Sequence, residues 1–141
     1  MLPQLEALLQ ASPKVASFQV IDSDAIDEDN FLVKIRCELT SGCTFQIRLR
    51  AVAGHIRYSY QEFTDRPLRR WDNTPHFPHL PSFPHHYHDA QGNLTASGLT
   101  GEPTMDLQQV LHDLQPPASY LPCAVWCVMK NSLADKHACK R

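Results

Sequence analysis

Several large protein classes are excluded by what this chain does not contain. No segment approaches the run of about eighteen apolar residues that a membrane-spanning helix needs. The opening, MLPQLEALLQASPK, lacks the basic-then-apolar layout of a secretory signal. Glycine is scarce, with five in 141 residues, and no glycine-rich phosphate loop is present. There is no internal repeat. No cysteine and histidine spacing matches the usual zinc patterns. The net charge of −2 is not that of a strongly basic nucleic-acid binder, although a global sum can hide a local field. The five cysteines, Cys37, Cys43, Cys123, Cys127 and Cys139, are odd in number and come without a secretion signal. Reduced thiols and a cytoplasmic protein are therefore expected. Cys123 and Cys127 sit at a helical, core-like spacing, where free cysteine behaves as a small hydrophobe.

What is present is ordinary globular material. Apolar residues make up 43% and charged residues 20%, at a length suited to one domain. Leu5, Leu8 and Leu9 fall at i, i+3 and i+4 between Pro3 and Ser12-Pro13, which predicts a short amphipathic helix. VASFQVI (15–21) reads as a strand followed by the acidic loop DSDAIDEDN. The clearest pattern comes next. FLVKIRCEL, CTFQIRLR and HIRYSYQ each alternate apolar and polar residues, predicting an antiparallel meander with one buried face. A two-residue turn at Ala53-Gly54 pairs Ile47 with Tyr60 and Leu49 with Tyr58. A three-residue loop, Ser41-Gly42-Cys43, pairs Leu39 with Phe45 and Ile35 with Leu49.

That register sets Lys34 opposite Arg50, Arg36 opposite Arg48, and Arg50 opposite Arg57. Like charges directly across strands are destabilising, so five gathered cations call for an anionic ligand or an acidic cover. The chain carries both signs in separate places. Residues 44–88 hold six Lys/Arg against three Asp/Glu, while residues 1–43 hold three against seven. The loop Asp22–Asp29 or the acids of the later helix are candidate covers. That later helix is predicted in PTMDLQQVLHDLQ, from Leu107, Val110, Leu111 and Leu114, opened by Pro103 and Thr104 and closed by Pro116-Pro117. YLPCAVWCVMK reads as a last core element and NSLADKHACKR as a loose end.

The stretch 70–88, RWDNTPHFPHLPSFPHHYH, holds five of the eight histidines and four of the eleven prolines. Pro75, Pro78, Pro81 and Pro84 recur every third residue, the period of polyproline II, which predicts an extended strap with Phe77, Leu80 and Phe83 along one edge. At about 3.1 Å per residue, His76 and His79 would stand roughly 9 Å apart, too far for one zinc ion. A metal would have to use His85, His86 and His88, and none is expected. Histidine next to cations instead suits metal-free RNA cleavage, which needs a proton acceptor, a proton donor and charge around the phosphate. His76, His85, His86 and His88 are the candidate catalytic residues. Lys34, Arg36, Arg48, Arg50, Arg57, Arg69 and Arg70 are candidate phosphate contacts. Trp71 is a candidate base-stacking residue and Asp72 a further substrate-site candidate. Trp71 also reads as core, and Asp72-Asn73 before a proline as the start of a turn.

YSY at 58–60, RRWDNTPH at 69–76 and FPHHYH at 83–88 resemble the TumE family of bacterial toxin–antitoxin toxins. The resemblance extends more loosely from the first strands to the helix ending near Gln115. It implies a small cytoplasmic toxin paired with a neutralising antitoxin, usually a DNA-binding protein. Phe77 stands where a second histidine often follows the one at 76.

The expectation is a single α+β domain over residues 1–122, with an N-terminal helix, a four- or five-stranded antiparallel meander and a C-terminal helix. By analogy the fold is RelE- or barnase-like. Residues 123–141 are expected to form a partly loose extension. The expected activity is that of a metal-independent, cofactor-free endoribonuclease toxin without membrane association. The alternatives are a non-catalytic protein that docks an acidic partner, or a metal-binding protein using the histidine cluster.

Overall fold

The structure, a computed structural model, describes residues 1–114. Its elements are α1 (Leu2–Ala11), β1 (Val15–Asp27), β2 (Asn30–Leu39), β3 (Thr44–Val52), β4 (His55–Phe63), β5 (Pro67–Asp72), β6 (His86–His88), β7 (Leu94–Ala96) and α2 (Pro103–Asp113). The strands form one sheet in chain order, each antiparallel to its neighbour. This is the α+β meander read from the sequence, carried to seven strands instead of four or five. The added strands β6 and β7 have three residues each, too short to show a period. No helix among the described residues is long and apolar enough to cross a membrane.

The stretch DSDAIDEDN is mostly strand and not loop. β1 stays paired with β2 through Asp22↔Lys34, Asp24↔Leu32 and Ala25↔Phe31, leaving Glu28-Asp29 as the turn. Its carboxylates are tolerated because β1 is an edge strand, kinked by register shifts near Ser17, Asp22 and Asp27.

The β3–β4 turn at Ala53-Gly54 is as expected. Both residues have positive φ, 50° and 76°, and Ile47↔Tyr60, Leu49↔Tyr58 and Arg50↔Arg57 pair. The β2–β3 register differs by two residues. Ile35 meets Ile47 and Cys37 meets Phe45, so Lys34 faces Arg48 and Arg36 faces Gln46. The loop still has three residues, but they are 40–42, closed by Leu39 N donating to the Cys43 carbonyl at 2.9 Å. A three-residue hairpin loop ends in the left-handed region, and Gly42, at φ 89°, is the residue that takes that position without strain. The slip is even, so every side chain keeps its face. One predicted repulsion disappears with it: Arg36 Nη2 donates to Gln46 Oε1 at 3.0 Å.

Both helices contribute to one core on the apolar face of the sheet. Leu5 and Leu9 of α1, Leu107 and Val110 of α2, and Ile35, Phe45, Ile47 and Tyr60 of the strands are all fully buried. Helix α2 is tied at both ends. At its N-terminus Glu102 accepts from the Thr104 and Met105 amides, and Asp106 accepts from Thr100 N and Gly101 N. At its C-terminus Lys14 Nζ donates to the carbonyls of Leu111, His112 and Leu114 at 2.7–2.9 Å, and Arg69 Nη1 donates to that of Asp113.

Cys37 is a buried free thiol whose pKa is pushed up to about 12 by burial and by Glu38. Cys43 is disulfide-bonded, contrary to the expectation of reduced thiols throughout. The predicted stop at Pro116-Pro117, the YLPCAVWCVMK element, the set Cys123, Cys127, His137 and Cys139, and the loose end lie outside the described residues.

Candidate functional site

Pairing across the sheet builds the site, because residues opposite one another on neighbouring strands point to the same face. One row of partners runs Asp22, Lys34, Arg48, Ser59, Asp72, His86, Ala96. The next runs Gln19, Arg36, Gln46, Gln61, Arg70, His88, Leu94. Arg50 and Arg57 face each other just beyond. All of these lie on the face opposite the helix-covered core. Strands are about 4.8 Å apart, so Arg48 and His86, three strands apart, are separated by roughly 14 Å of continuous polar surface.

Two depressions share this surface. One, of about 540 Å³, is lined by Lys34, Arg48, Arg50 and Arg57, with Asp22 at its edge. The other, of about 770 Å³, contains Gln61, His76, Phe77, His86 and His88. Arg70, Asp72 and Thr74 line both and form the ridge between them.

Asp72 organises that ridge. Its Oδ1 accepts from the Thr74 amide at 3.0 Å, from the Thr74 hydroxyl, and from His86 Nε2 at 2.8 Å. Its Oδ2 accepts from Arg70 Nε at 2.8 Å. Burial pushes the Asp72 carboxyl up, but the Thr74 hydrogen bonds and the neighbouring His86 and Arg70 outweigh it and hold the group below the usual carboxylate range. His86 is 2% exposed, and its Nδ1 lies 3.1 Å from the Pro84 carbonyl oxygen. Both ring nitrogens are thus engaged, Nε2 with Asp72 Oδ1 and Nδ1 with the Pro84 carbonyl oxygen. His86 is therefore fixed in place. His88 is not: its ring stands edge-on to His86 at 5.0 Å, and neither of its nitrogens has a hydrogen-bond partner among the described residues. Burial lowers its pKa, as do His86 and Arg70, with Asp72 acting the other way.

The strap is not the polyproline rod that its period suggests. Leu80 N donates to the Phe77 carbonyl, Phe83 N to that of Leu80, and His85 N to that of Ser82. These are successive turns, and polyproline II has no internal hydrogen bonds. A proline every third residue places Pro78 and Pro81 second in consecutive turns, where their fixed φ is favoured. The Phe83–Pro84 peptide is cis. The folded strap sets Phe77 edge-on against His86 at 4.8 Å and His88 at 6.0 Å, giving the histidine cleft an apolar wall. His76 is exposed and lines the same cleft.

Adjacent residues part company here. His85 points to the helix-covered side, where its ring stacks on Tyr58 and its Nδ1 hydrogen-bonds the Tyr58 hydroxyl at 2.8 Å. Burial lowers the His85 pKa and raises that of Tyr58. Arg69 and Trp71 are also on that side. Arg69 Nε and Nη2 each reach Glu62 Oε2 at 2.7 Å. Trp71 is 5% exposed, packed on Tyr87 at 5.0 Å and under the Arg69 guanidinium at 5.6 Å. The structure thus brings His76, His86, His88, Arg70 and Asp72 together, with Lys34, Arg36, Arg48, Arg50 and Arg57 on the same face. It sets His85, Arg69 and Trp71 apart from them. Trp71 and Arg69 follow Tyr60 and Glu62, their β4 partners, onto the core face.

Three contributors escape a reading of charged and histidine residues alone. Thr74 orders Asp72. Asn73 pins the start of the strap to β4, its Oδ1 accepting from Tyr58 N and its Nδ2 donating to the Ile56 carbonyl. The Pro84 carbonyl orients His86. Asp72-Asn73 was legible as the start of a turn, and the turn that closes from Thr74 N onto Asp72 Oδ1 is what shapes the carboxylate.

No curated protein and no solved structure matches the chain. A family model described as Toxin TumE matches residues 5–116, which take in α1 from Leu5 onward, the whole sheet, the histidine cleft and α2. The RRWDNTPH and FPHHYH segments that build the ridge and the cleft lie within that match, and the chain belongs to the TumE toxin family.

Proposed function

We propose that this toxin is a metal-independent endoribonuclease whose open sheet face holds RNA and whose histidine cleft cuts it. The observation that carries the reading is the row Lys34, Arg48, Ser59, Asp72, His86, in which a cationic track and a histidine cluster share one face and meet at Arg70. A polyanion laid along Arg48, Arg50 and Arg57 would relieve the repulsion between paired cations and reach Arg70 at the mouth of the cleft.

In this reading His88 is the general base. It lines the cleft, neither ring nitrogen has a hydrogen-bond partner among the described residues, and it takes the proton of a ribose 2′-hydroxyl. The 2′-oxygen attacks phosphorus, the bond to the 5′-oxygen breaks, and His76 on the same cleft gives that oxygen a proton. The products are a 2′,3′-cyclic phosphate and a free 5′-hydroxyl. Arg70 faces the phosphoryl oxygens, and His86, locked between Asp72 and the Pro84 carbonyl, is a positioning residue that holds its neighbours in register. The cognate antitoxin that family membership implies is here a DNA-binding protein that neutralises the chain in the cytoplasm.

End-labelled RNA incubated with the full chain tests this directly. Cleavage is expected to persist in EDTA, to fall by about 10²–10⁴-fold in His88→Ala, and to survive in His85→Ala, whose ring serves Tyr58 on the other face. Cleavage at the wild-type rate by a folded His88→Ala protein would refute the assignment and favour a face that only docks an acidic partner.

A further inference from the structure

We propose that Asp72, His86 and His88 are also the ligands of a divalent transition-metal ion such as zinc, and that its binding turns the histidine cleft off. The proposal rests on the ribonuclease reading for its consequence, but the site itself rests on donor geometry. One donor atom from each of the three residues lies within 4.8 Å of the others. Ligands about 2.0–2.1 Å from a tetrahedral zinc stand roughly 3.3 Å apart, a spacing that small rotations of these side chains supply.

The surroundings match a metal site as well. The Pro84 carbonyl takes the Nδ1 hydrogen of His86, which directs Nε2 at Asp72 Oδ1, 2.8 Å away. A backbone carbonyl orienting a histidine from behind is the usual outer support of a metal-bound imidazole. Thr74 and Arg70 hold Asp72 in the same manner, Arg70 on Oδ2 and therefore away from the oxygen that meets His86. A cation can take the place of the hydrogen between Nε2 and Oδ1, and that proton passes to solvent. His88 then turns a ring nitrogen to the ion, leaving a fourth position open toward the cleft. Two histidines, one carboxylate and an open position suit zinc and neighbouring first-row ions better than magnesium or calcium, which prefer oxygen. Occupancy consumes the lone pair that His88 needs as a base.

The test titrates metal-free full-length protein with zinc chloride by calorimetry, beside Asp72→Asn, His88→Ala and Thr74→Val, with His55→Ala as a control. Wild type and His55→Ala are expected to bind one equivalent that Asp72→Asn and His88→Ala lack, and Thr74→Val to bind it on the order of 10–100-fold more weakly. Cobalt(II) at the same site is expected to give no thiolate charge-transfer band, which separates it from any site using the cysteines of residues 115–141. Unchanged stoichiometry and affinity in both ligand variants would overturn the site. RNA cleavage should stop over the zinc range that fills this equivalent, and stimulation by zinc would overturn the off-switch. Binding is read without RNA. A protein that takes up zinc through Asp72 and His88 but cuts no RNA would sink the ribonuclease reading and leave the metal site standing.

Discussion

On the helix-covered face of the sheet, charge is enclosed and matched. Glu62, 1% exposed, accepts from Arg69 Nε and is ion-paired with the same guanidinium, and Arg69 also reaches the last turn of α2. On the open face, Lys34 stands across from Arg48 and Arg50 across from Arg57, with the nearest acids, Asp22 and Asp72, at the margins of the groove. Arg69 and Arg70 are consecutive in the chain and fall on opposite sides of this divide, and so do His85 and His86. The contrast separates two uses of the same residue type. An arginine beside a buried carboxylate is part of the architecture, whereas arginines lined up against one another repel, and an anion that comes to them relieves that repulsion.

The largest effect should come from breaking the enclosed pair. Arg69→Ala leaves the Glu62 carboxylate buried and uncompensated and removes a cap from α2, so a stability loss of about 3–5 kcal/mol is expected in urea unfolding. Arg70→Ala, one residue on, has a side chain 45% exposed and a partner that keeps Thr74 and His86, so its cost should be no more than about 1 kcal/mol. Equal losses for the two would erase the distinction between the faces.

The open face is tested by salt rather than by denaturant. Arg48→Ala and Arg50→Ala, each of which removes a cross-strand repulsion, are expected to leave the melting temperature unchanged or slightly raised and to weaken single-stranded RNA binding at low salt. The slope of log affinity against log salt should fall by about 0.7 for each cation removed. A slope that does not move in either variant would mean that RNA does not lie along this track, and would turn attention to an acidic protein partner.

How much of this could be read from sequence follows the length of the pattern. The strands β2, β3 and β4 alternate over nine or ten residues, so their buried faces were plain from sequence, and the cations of the open face with them. Their register was harder, because face matching permits any even slip, and only the left-handed conformation at Gly42 chooses among them. The split of His85 from His86 could be read only on the condition that HHYH is extended. It depends on a three-residue strand, β6, pairing with β5, and three residues carry no period. The prolines at 75, 78, 81 and 84 were conspicuous but ambiguous, since a spacing of three fits both a polyproline helix and a chain of turns. The turns win because they bring Phe77 back onto the histidines, where an extended rod would have carried it away.

The smallest effect concerns how the covered face keeps its cover. Helix α2 begins at Glu102, whose carboxylate accepts from the amides of Met105 at 2.7 Å and Thr104 at 3.4 Å. The Met105 amide holds the Glu102 pKa below its ordinary value of 4.5, a shallow burial opposes this, and Thr104 adds to it. A carboxyl whose folded pKa is depressed contributes stability that is complete above its unfolded pKa and is lost as pH falls through the folded one. Glu102→Ala should therefore cost about 0.5–2 kcal/mol near neutral pH, the usual range for a helix cap. The gap between wild type and variant should begin to close as pH drops below 4.5. Urea midpoints measured from pH 7 to pH 3 check both points. A gap that stays constant across that range would show that the Glu102 side chain supports α2 through packing and not through its charge, and that the helix is held over the core chiefly by Lys14 and Arg69 at its other end.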